Sequence, residues 1–314
     1  PMHILKGYTK QEISWMMYDW ANSAHSVIIV TLLPIFFDTV AGYTADSVSS
    51  MSTWGYATSI AMLIVALAAP FLGVFGDIRG MRKKLFSFFM LLGVAACAGM
   101  AFTPGMDFTS GPVAAGKVAS LILVLYIVSV IGFDASAIYY DAFLTDVTIE
   151  DRMDKVSTMG YGLGYIGGST IPLLIFLIMN LVGVPMLTCL AFVFGLTAVW
   201  WLAFSLPLLK NCEQTSGKPY EKGDVARSIK GVGTTIKEII ANKPMLIYIL
   251  SYFFYIDGVH TVISMATTYG TNLGLDSTGM MLALLLVQIL GLPFCLLYMK
   301  LAEKFGARTM VGVG

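Results

Sequence analysis

Four carboxylates, Asp19, Asp134, Asp141 and Asp257, lie inside long apolar stretches of this 314-residue chain. A charge at the centre of such a stretch costs about 2.5–3.5 kcal/mol on insertion scales, so acids there are kept for a task, such as a proton relay or a binding site. Their neighbours are polar at helical spacing. Trp15, Asp19, Asn22, Ser23 and Ser26 fall within about 40° of one line at 100° per residue. Asp257, Thr261, Ser264 and Thr268 form a second stripe, with His260 roughly 60° to one side. Asp134 and Asp141 are seven apart, which puts them on one helix face and about 10 Å apart along its axis. Three polar stripes in three apolar helices predict a shared water-accessible cavity. Asp19, Asn22, Asp257 and His260 would line it, and one carboxylate or His260 could exchange a proton. The alternative is that these groups hydrogen-bond between helices and hold a bundle together. For His25 and His260 both readings stand equally. Asp141, closer to the end of its stretch, suits a gate or a structural role.

The elements that must position these residues follow from composition. Charged residues make up 12% of the chain and apolar ones 57%, against roughly 25% charged in a soluble domain. A bilayer core about 30 Å thick needs roughly 20 apolar residues per helix. Eight runs qualify, at 12–38, 52–76, 84–103, 118–145, 158–181, 184–208, 244–270 and 277–299, and a ninth begins near Arg308. The first run is too long and too polar in its first half for a signal peptide, and proline at position 1 suggests a trimmed amino end. With the amino terminus in the cytoplasm and the loops alternating sides, every basic residue except Lys117 falls inside; this is the positive-inside pattern. No basic patch is interleaved with aromatics, so nucleic-acid binding has no support. Cys97, Cys189 and Cys295 fall in apolar runs and Cys212 in a basic loop; they read as reduced packing residues, with no disulfide, metal site or cofactor.

One loop carries a dense charged turn, Gly73-Val-Phe-Gly-Asp77-Ile-Arg-Gly80-Met-Arg82-Lys83-Lys84, and a weaker copy, Glu303-Lys-Phe-Gly306-Ala-Arg308, recurs 226 positions later. A second echo places His25-Ser26-Val27-Ile28 on His260-Thr261-Val262-Ile263 and Asn22 on Asp257, at an offset of 235. Two diverged copies of one unit explain both, and paired six-helix halves with a site between them near mid-membrane are a transporter architecture. The chain divides into a six-helix bundle at 1–208, a basic inner loop at 209–243, and a partial second bundle at 244–314 with two helices and the start of a third. In the loop Val225, Ile229, Val232, Ile236 and Ile240 recur at helical spacing. Either an amphipathic helix on the inner membrane face or a solvated linker helix fits. Asp77 and Arg82 each stand at the unfavourable pole of their own helix dipole, which is tolerable if they face each other or another helix end. The turn then reads as a latch that is made and broken as a gate closes and opens; topogenesis alone would explain its basic residues but not Asp77. Gly160, Gly164 and Gly168 are spaced four apart and make a groove for close helix packing. The overlapping Gly162-Leu-Gly164-Tyr-Ile-Gly167 is no dinucleotide fingerprint, having no strand before it. The Tyr140-Asp141 pair lacks the Gly-x-Gly-Asp partner of an intramembrane protease.

The pattern Gly73-x-x-x-Asp77-x-x-Gly80-x-Arg82-Lys83 resembles the loop 2–3 signature of the major facilitator superfamily. Further stretches resemble its vacuole-effluxer branch, the autophagy-related amino-acid exporters and their bacterial relatives. They are Tyr18-Asp19-Trp20-Ala21-Asn22-Ser23-Ala24, Asp141-Ala-Phe143-Leu, Gly164-Tyr-Ile-Gly167-Gly168 and Tyr255-Ile-Asp257-Gly258-Val259. The resemblance implies an all-α integral membrane bundle of the major-facilitator type and no enzyme. Its fungal members export amino acids from the vacuole, so it implies an alternating-access transporter of a small organic solute, with a coupling proton. It also implies twelve helices, so that this chain corresponds to a transporter cut after the eighth, and a latch surface on helix eleven. The second latch, with Glu303 for Asp and Thr309 for a basic residue, should be the weaker. The membrane would be the plasma membrane in a bacterium and the vacuolar membrane in a fungus. No lysine or arginine lies deep in any run, which favours neutral, zwitterionic or cationic solutes. Transport of a sugar, drug or peptide, or a transporter-derived sensor without flux, are the competing readings.

Overall fold

The computed structural model describes residues 5–44, 47–217, 219, 224–306, 309–310 and 312. Its elements are α1 (Lys10–Ala41), α2 (Ser47–Gly76), α3 (Arg82–Met100), α4 (Pro112–Val147), α5 (Glu150–Gly164), a π-helical turn (Tyr165–Thr170), α6 (Ile171–Leu181), α7 (Met186–Asn211), α8 (Asp224–Ala241), α9 (Lys243–Asn272) and α10 (Ser277–Phe305). Among the described residues there is no strand. Eight helical rods are long and apolar enough to cross a membrane, with α5, the π turn and α6 forming one of them. The chain is therefore an all-α membrane bundle. Most of the ninth apolar run, Arg308 included, lies outside the described residues.

Local chemistry sets the ends of these rods. Thr9 and Glu12 form a capping box on α1: Glu12 N–H donates to Thr9 Oγ1 (3.1 Å) and Thr9 N–H to Glu12 Oε2 (2.7 Å). Such a box satisfies two amides at the helix start. Pro112 opens α4 behind Gly111, whose φ of +146° turns the chain. The fifth rod starts at Glu150, eight residues before its apolar run begins. The stretch holding Arg152 and Lys155, expected as an inner loop, is two turns of helix. Glu150 and Asp151 in its first turn suit the positive pole of the helix dipole.

Helix α1 is the axis of the bundle. It is buried almost from end to end, through Trp15, Tyr18, Ile28, Leu32 and Phe36, and packs against α4, α5, the π turn and α7. A helix that keeps no solvated face, its polar stripe included, belongs in such a place. Its closest neighbour is the fifth rod. Side chains at Gly160, Gly164 and Gly168 would run into Asp19, Ser23 and the Trp20 backbone, and one at Gly167 would enter the Trp20 ring. Pro172 accounts for the π turn. It has no N–H, and its ring crowds the carbonyl four residues back, so the chain opens to a wider turn there. Thr170 Oγ1 donates to the Tyr165 carbonyl (2.7 Å) within it. Helices α3 and α4 meet through Gly93 and Gly132, with the Trp201 ring over Gly93. Small residues permit this backbone contact where lipid supplies no hydrophobic drive.

In the second half, α10 packs on the fifth rod, and α9 touches α1 and α2. Gly162 faces Leu292, and Tyr165 fills the space a side chain at Gly291 would take. Helix α8 sits between the halves in sequence, with Ile236 and Ile240 of its apolar stripe exposed. The side chains of Val225 and Ile229, the first members of that stripe, lie outside the described residues.

Two outcomes follow from these contacts. A Cβ at Gly132 would lie 2.5 Å from Gly93 N and 2.8 Å from the Phe89 carbonyl oxygen, both backbone atoms, whereas one at Gly116 on the same helix meets nothing within 4 Å. Gly132→Ala should therefore destabilise by about 1–3 kcal/mol while Gly116→Ala does not, as thermal unfolding in detergent would show; equal losses would refute the close α3–α4 contact. A Cβ at Gly162 would lie 3.5 Å from Cys295 Cβ, inside the roughly 3.5–4.5 Å range of disulfides. Gly162→Cys should cross-link to Cys295 on mild oxidation and keep the two halves joined after proteolysis of the intervening loop. Free halves on a denaturing gel would contradict the α5–α10 contact.

Candidate functional site

The polar stripe of α1 meets α4 at Asp19. Tyr140 Oη donates to Asp19 Oδ2 (2.8 Å), and the carboxylate is buried. Trp15 holds Tyr140 twice over, stacking on its ring at 4.3 Å and donating from Nε1 to its carbonyl (2.8 Å). Gly160 leaves the space that Asp19 fills. No ion pair to Asp19 exists among the described residues. An acid buried this way with a phenol for company, and no cation, can lose or take a proton as its surroundings change. Asp141, exposed, and Tyr161 lie within electrostatic range of Asp19.

One and two turns along α1 the polar groups continue. Tyr18 Oη shares a hydrogen bond with Ser136 Oγ (2.8 Å) and accepts from Trp201 Nε1 (3.3 Å). Asn22 is buried beside it and Ser26 is half-buried. His25 is enclosed, with Nε2 on Ser129 Oγ (3.2 Å) and its ring stacked on Phe133 at 4.7 Å. Asp134 is half-buried on α4. The second-half residues are placed differently. Asp257 and His260 are exposed on α9. Thr261 instead lines an apolar cavity of about 590 Å³ between α9 and α10. The structure thus buries Asp19, Asn22 and His25 along α1, whereas Asp257 and His260 are exposed on α9. Two partners went unread in the sequence. Tyr140 was weighed only beside Asp141, and Trp15 only as part of a stripe; an aromatic at i−4 from Asp19 on α1 was the available signal.

At the end of the bundle that carries the charged turn, Arg82 is buried and paired with Asp146, whose side chain is also buried. It donates further to the Ala142 carbonyl (3.0 Å) and Ser216 Oγ (3.2 Å) and lies over Phe143. Asp77 stands 3.8 Å away with its side chain 80% exposed. Asp146 falls one residue past the apolar run at 118–145, yet it is the close counter-charge of Arg82. Gly80 takes φ +82° in the turn, and a side chain at Gly73 would meet nothing. Lys83 Nζ donates to the Cys212 carbonyl (3.2 Å). A second pair adjoins: Arg152 makes a two-pronged bond to buried Glu12 (2.9 Å each), which also accepts from Thr148 (2.7 Å). Such charge-assisted forks are among the stronger hydrogen bonds. Glu303, exposed, reaches this end too. It is near enough to Tyr8 to help raise that phenol, after burial as the main cause and against Arg152. Arg308 lies outside the described residues.

Residues 8–152 and 145–313 match the family model described as vacuole effluxer Atg22 like. The chain is 40% identical over 319 residues to an uncharacterized MFS-type transporter of Bacillus subtilis, YxiO, covering 99% of this chain and 72% of that protein. It is 26% identical over 177 residues to autophagy-related protein 22-1 of Penicillium rubens, covering 52% of this chain and 30% of the fungal protein. In fold it resembles a D-xylose–proton symporter, with a TM-score of 0.64 at 16% identity over 94% of this chain and 69% of the other. It also resembles the partially occluded inward-open xylose transporter XylE of E. coli, at 0.62 and 15% over 95% and 73%. Two overlapping family matches that together span residues 8–313, a bacterial relative aligned over 99% of this chain and a shared helical architecture agree with the buried acid and the charged turn: this chain belongs to the Atg22-like vacuole effluxer family of MFS-type membrane transporters.

Proposed function

We propose that this protein moves a small organic solute, an amino acid, across its membrane by alternating access, coupled to protons. The observation that carries the reading is Asp19, a carboxylate buried in a membrane-spanning helix, bonded to Tyr140 and facing no cation among the described residues. Such a group serves a solute's ammonium or a proton, and its cost in the membrane is hard to explain otherwise. Amino acids fit a site that offers carboxylates and hydroxyls but no deep basic side chain. The fungal relatives carry the name of autophagy proteins and the family that of vacuole effluxers, which supports export as the direction. Asn22, Ser26 and Asp134 belong to the same pathway, with Asp257, His260 and Thr261 approaching it when the halves rock. The turn with Asp77, Arg82 and Lys83 serves as the gate at the end we assign to the cytoplasm, and we assign Asp141 and Glu303 to the same gate. That assignment rests on the placement of the basic residues.

The test is flux. Proteoliposomes holding the full chain should show a change in internal pH on addition of the right amino acid and none without it. No proton or solute movement across a broad amino-acid panel overturns the amino-acid reading, and binding without flux would favour a sensor. Asp19→Asn keeps the volume and should abolish coupled flux while leaving the protein monodisperse. Tyr140→Phe, which removes the hydrogen bond but not the acid, should slow flux roughly tenfold, the worth of one hydrogen bond to a charged group. Wild-type coupling in Asp19→Asn would remove this carboxylate from the mechanism.

A further inference from the structure

The segment that follows α7 does not leave the bundle. From Asn211 to Gly217 it is laid across the end that carries the charged turn and bonded to it residue by residue. Asn211 Nδ2 donates to Ser14 Oγ (2.9 Å), and the Cys212 thiol lies 3.6 Å from the Gln11 carbonyl. Gln214 uses both ends of its amide on the turn. Its Oε1 accepts from Gly80 N–H (2.8 Å) and Arg82 N–H (3.3 Å), and its Nε2 donates to the Gly76 carbonyl (3.0 Å). Thr215 and Ser216 then fasten to Asp146: its Oδ1 accepts from both backbone amides (3.1 and 2.9 Å) and both hydroxyls (2.9 and 2.7 Å). Gly217, with φ +119°, passes so close that a Cβ would lie 2.7 Å from the Asp77 carbonyl oxygen.

We propose that Asn211–Gly217 is a strap that positions the gate, and that Gln214 is its positioning residue. The reason is geometric. Gly76, Gly80 and Arg82 are the points where α2 ends, the turn reverses and α3 begins. A single side-chain amide that bonds all three fixes the turn's shape. The Arg82 amide stands in the first turn of α3, where backbone donors have no partner inside the helix, so Gln214 supplies what the helix cannot. Asp146 joins the same strap to Arg82 itself, because one carboxylate oxygen takes the guanidinium and the other takes the strap. The strap leads directly into the loop joining the two halves. A displacement of that loop is thereby transmitted to the turn, and the turn cannot rearrange unless Gln214 releases it. The proposal rests on the gate reading for its role, but its test needs no solute, so the strap and the transport reading succeed or fail separately.

Cys212 is a built-in reporter. Its side chain turns inward from the strap and is buried, and burial pushes the thiol up to about 12, with Lys83 opposing. A closed strap therefore leaves it protonated and inaccessible. With Cys97, Cys189 and Cys295 replaced by alanine in the full chain, labelling of Cys212 by a bulky maleimide in mild detergent should be slow. Gln214→Ala should speed it at least tenfold and raise hydrogen exchange at the Gly80 and Arg82 amides, with the melting temperature unchanged. Gln214→Glu keeps the acceptor arm and should preserve the protection of those two amides. Gly217→Ala, whose Cβ would press on both the Asp77 carbonyl oxygen (2.7 Å) and the Gln214 amide Nε2 (2.8 Å), should speed labelling as Gln214→Ala does. Unchanged labelling and exchange in Gln214→Ala, or their increase only together with loss of global stability, would overturn the proposal.

Discussion

A methyl group does not fit between α1 and the fifth rod, and much of the amino-terminal bundle follows from that. Gly160, Gly164, Gly167 and Gly168 bring the two backbones together along about two turns. In a membrane this proximity is the stabilising device, since lipid offers apolar side chains no reason to associate. The contact also buries the polar stripe of α1. Asp19 occupies the space that Gly160 vacates and Ser23 that of Gly164, so the helix that carries the buried acid is itself buried almost from end to end.

That burial explains the aromatic collar around the acid. A buried carboxylate without hydrogen bonds carries a penalty of several kcal/mol, and Tyr140 supplies the bond. The stacked Trp15 ring and its N–H to the Tyr140 carbonyl hold the phenol in place. Tyr18, the neighbour of Asp19 in sequence, forms a parallel chain with Ser136 and Trp201. The result is a site where the hydrogen-bond donors are rigid and the charge is the adjustable component. The π turn lies beside it, on the rod that touches both α1 and α10. It gives the fifth span a wide turn at the level where the two halves of the chain meet, and π turns recur at functional positions for this reason.

The opposite logic governs the basic end. There the backbone amides of the turn need partners from outside the helices, because α2 ends and α3 begins within six residues. Arg82, Asp146 and Gln214 divide the work. The ion pair neutralises two buried charges, and the amide and the carboxylate's second oxygen absorb the loose donors of the turn and the strap. Asp77, mostly exposed, is free to exchange partners.

Eight of the elements were legible in the sequence, because a bilayer demands a long apolar run for every crossing and the runs are separated by charged or glycine-proline breaks. Asp19, Asn22 and the glycine spacing were legible too, since 3.6-residue periodicity places them on common faces without knowledge of any partner. Tyr140, Asp146 and Gln214 were not. Their partners lie 121, 64 and 134 positions away, and nothing local distinguishes them from other tyrosines, loop acids or amides. Nor did the sequence decide where α9 stands: its polar stripe suggested a place facing Asp19, and the structure leaves Asp257 and His260 exposed. What the sequence by itself determined is the solvent of each segment and the face of each helix, which depend on hydropathy and a fixed helical pitch. Which faces meet, and therefore which proton donor and which counter-charge each buried group receives, was decided only by the tertiary structure, because hydrogen bonds and close helix contacts depend on distances that no local pattern encodes.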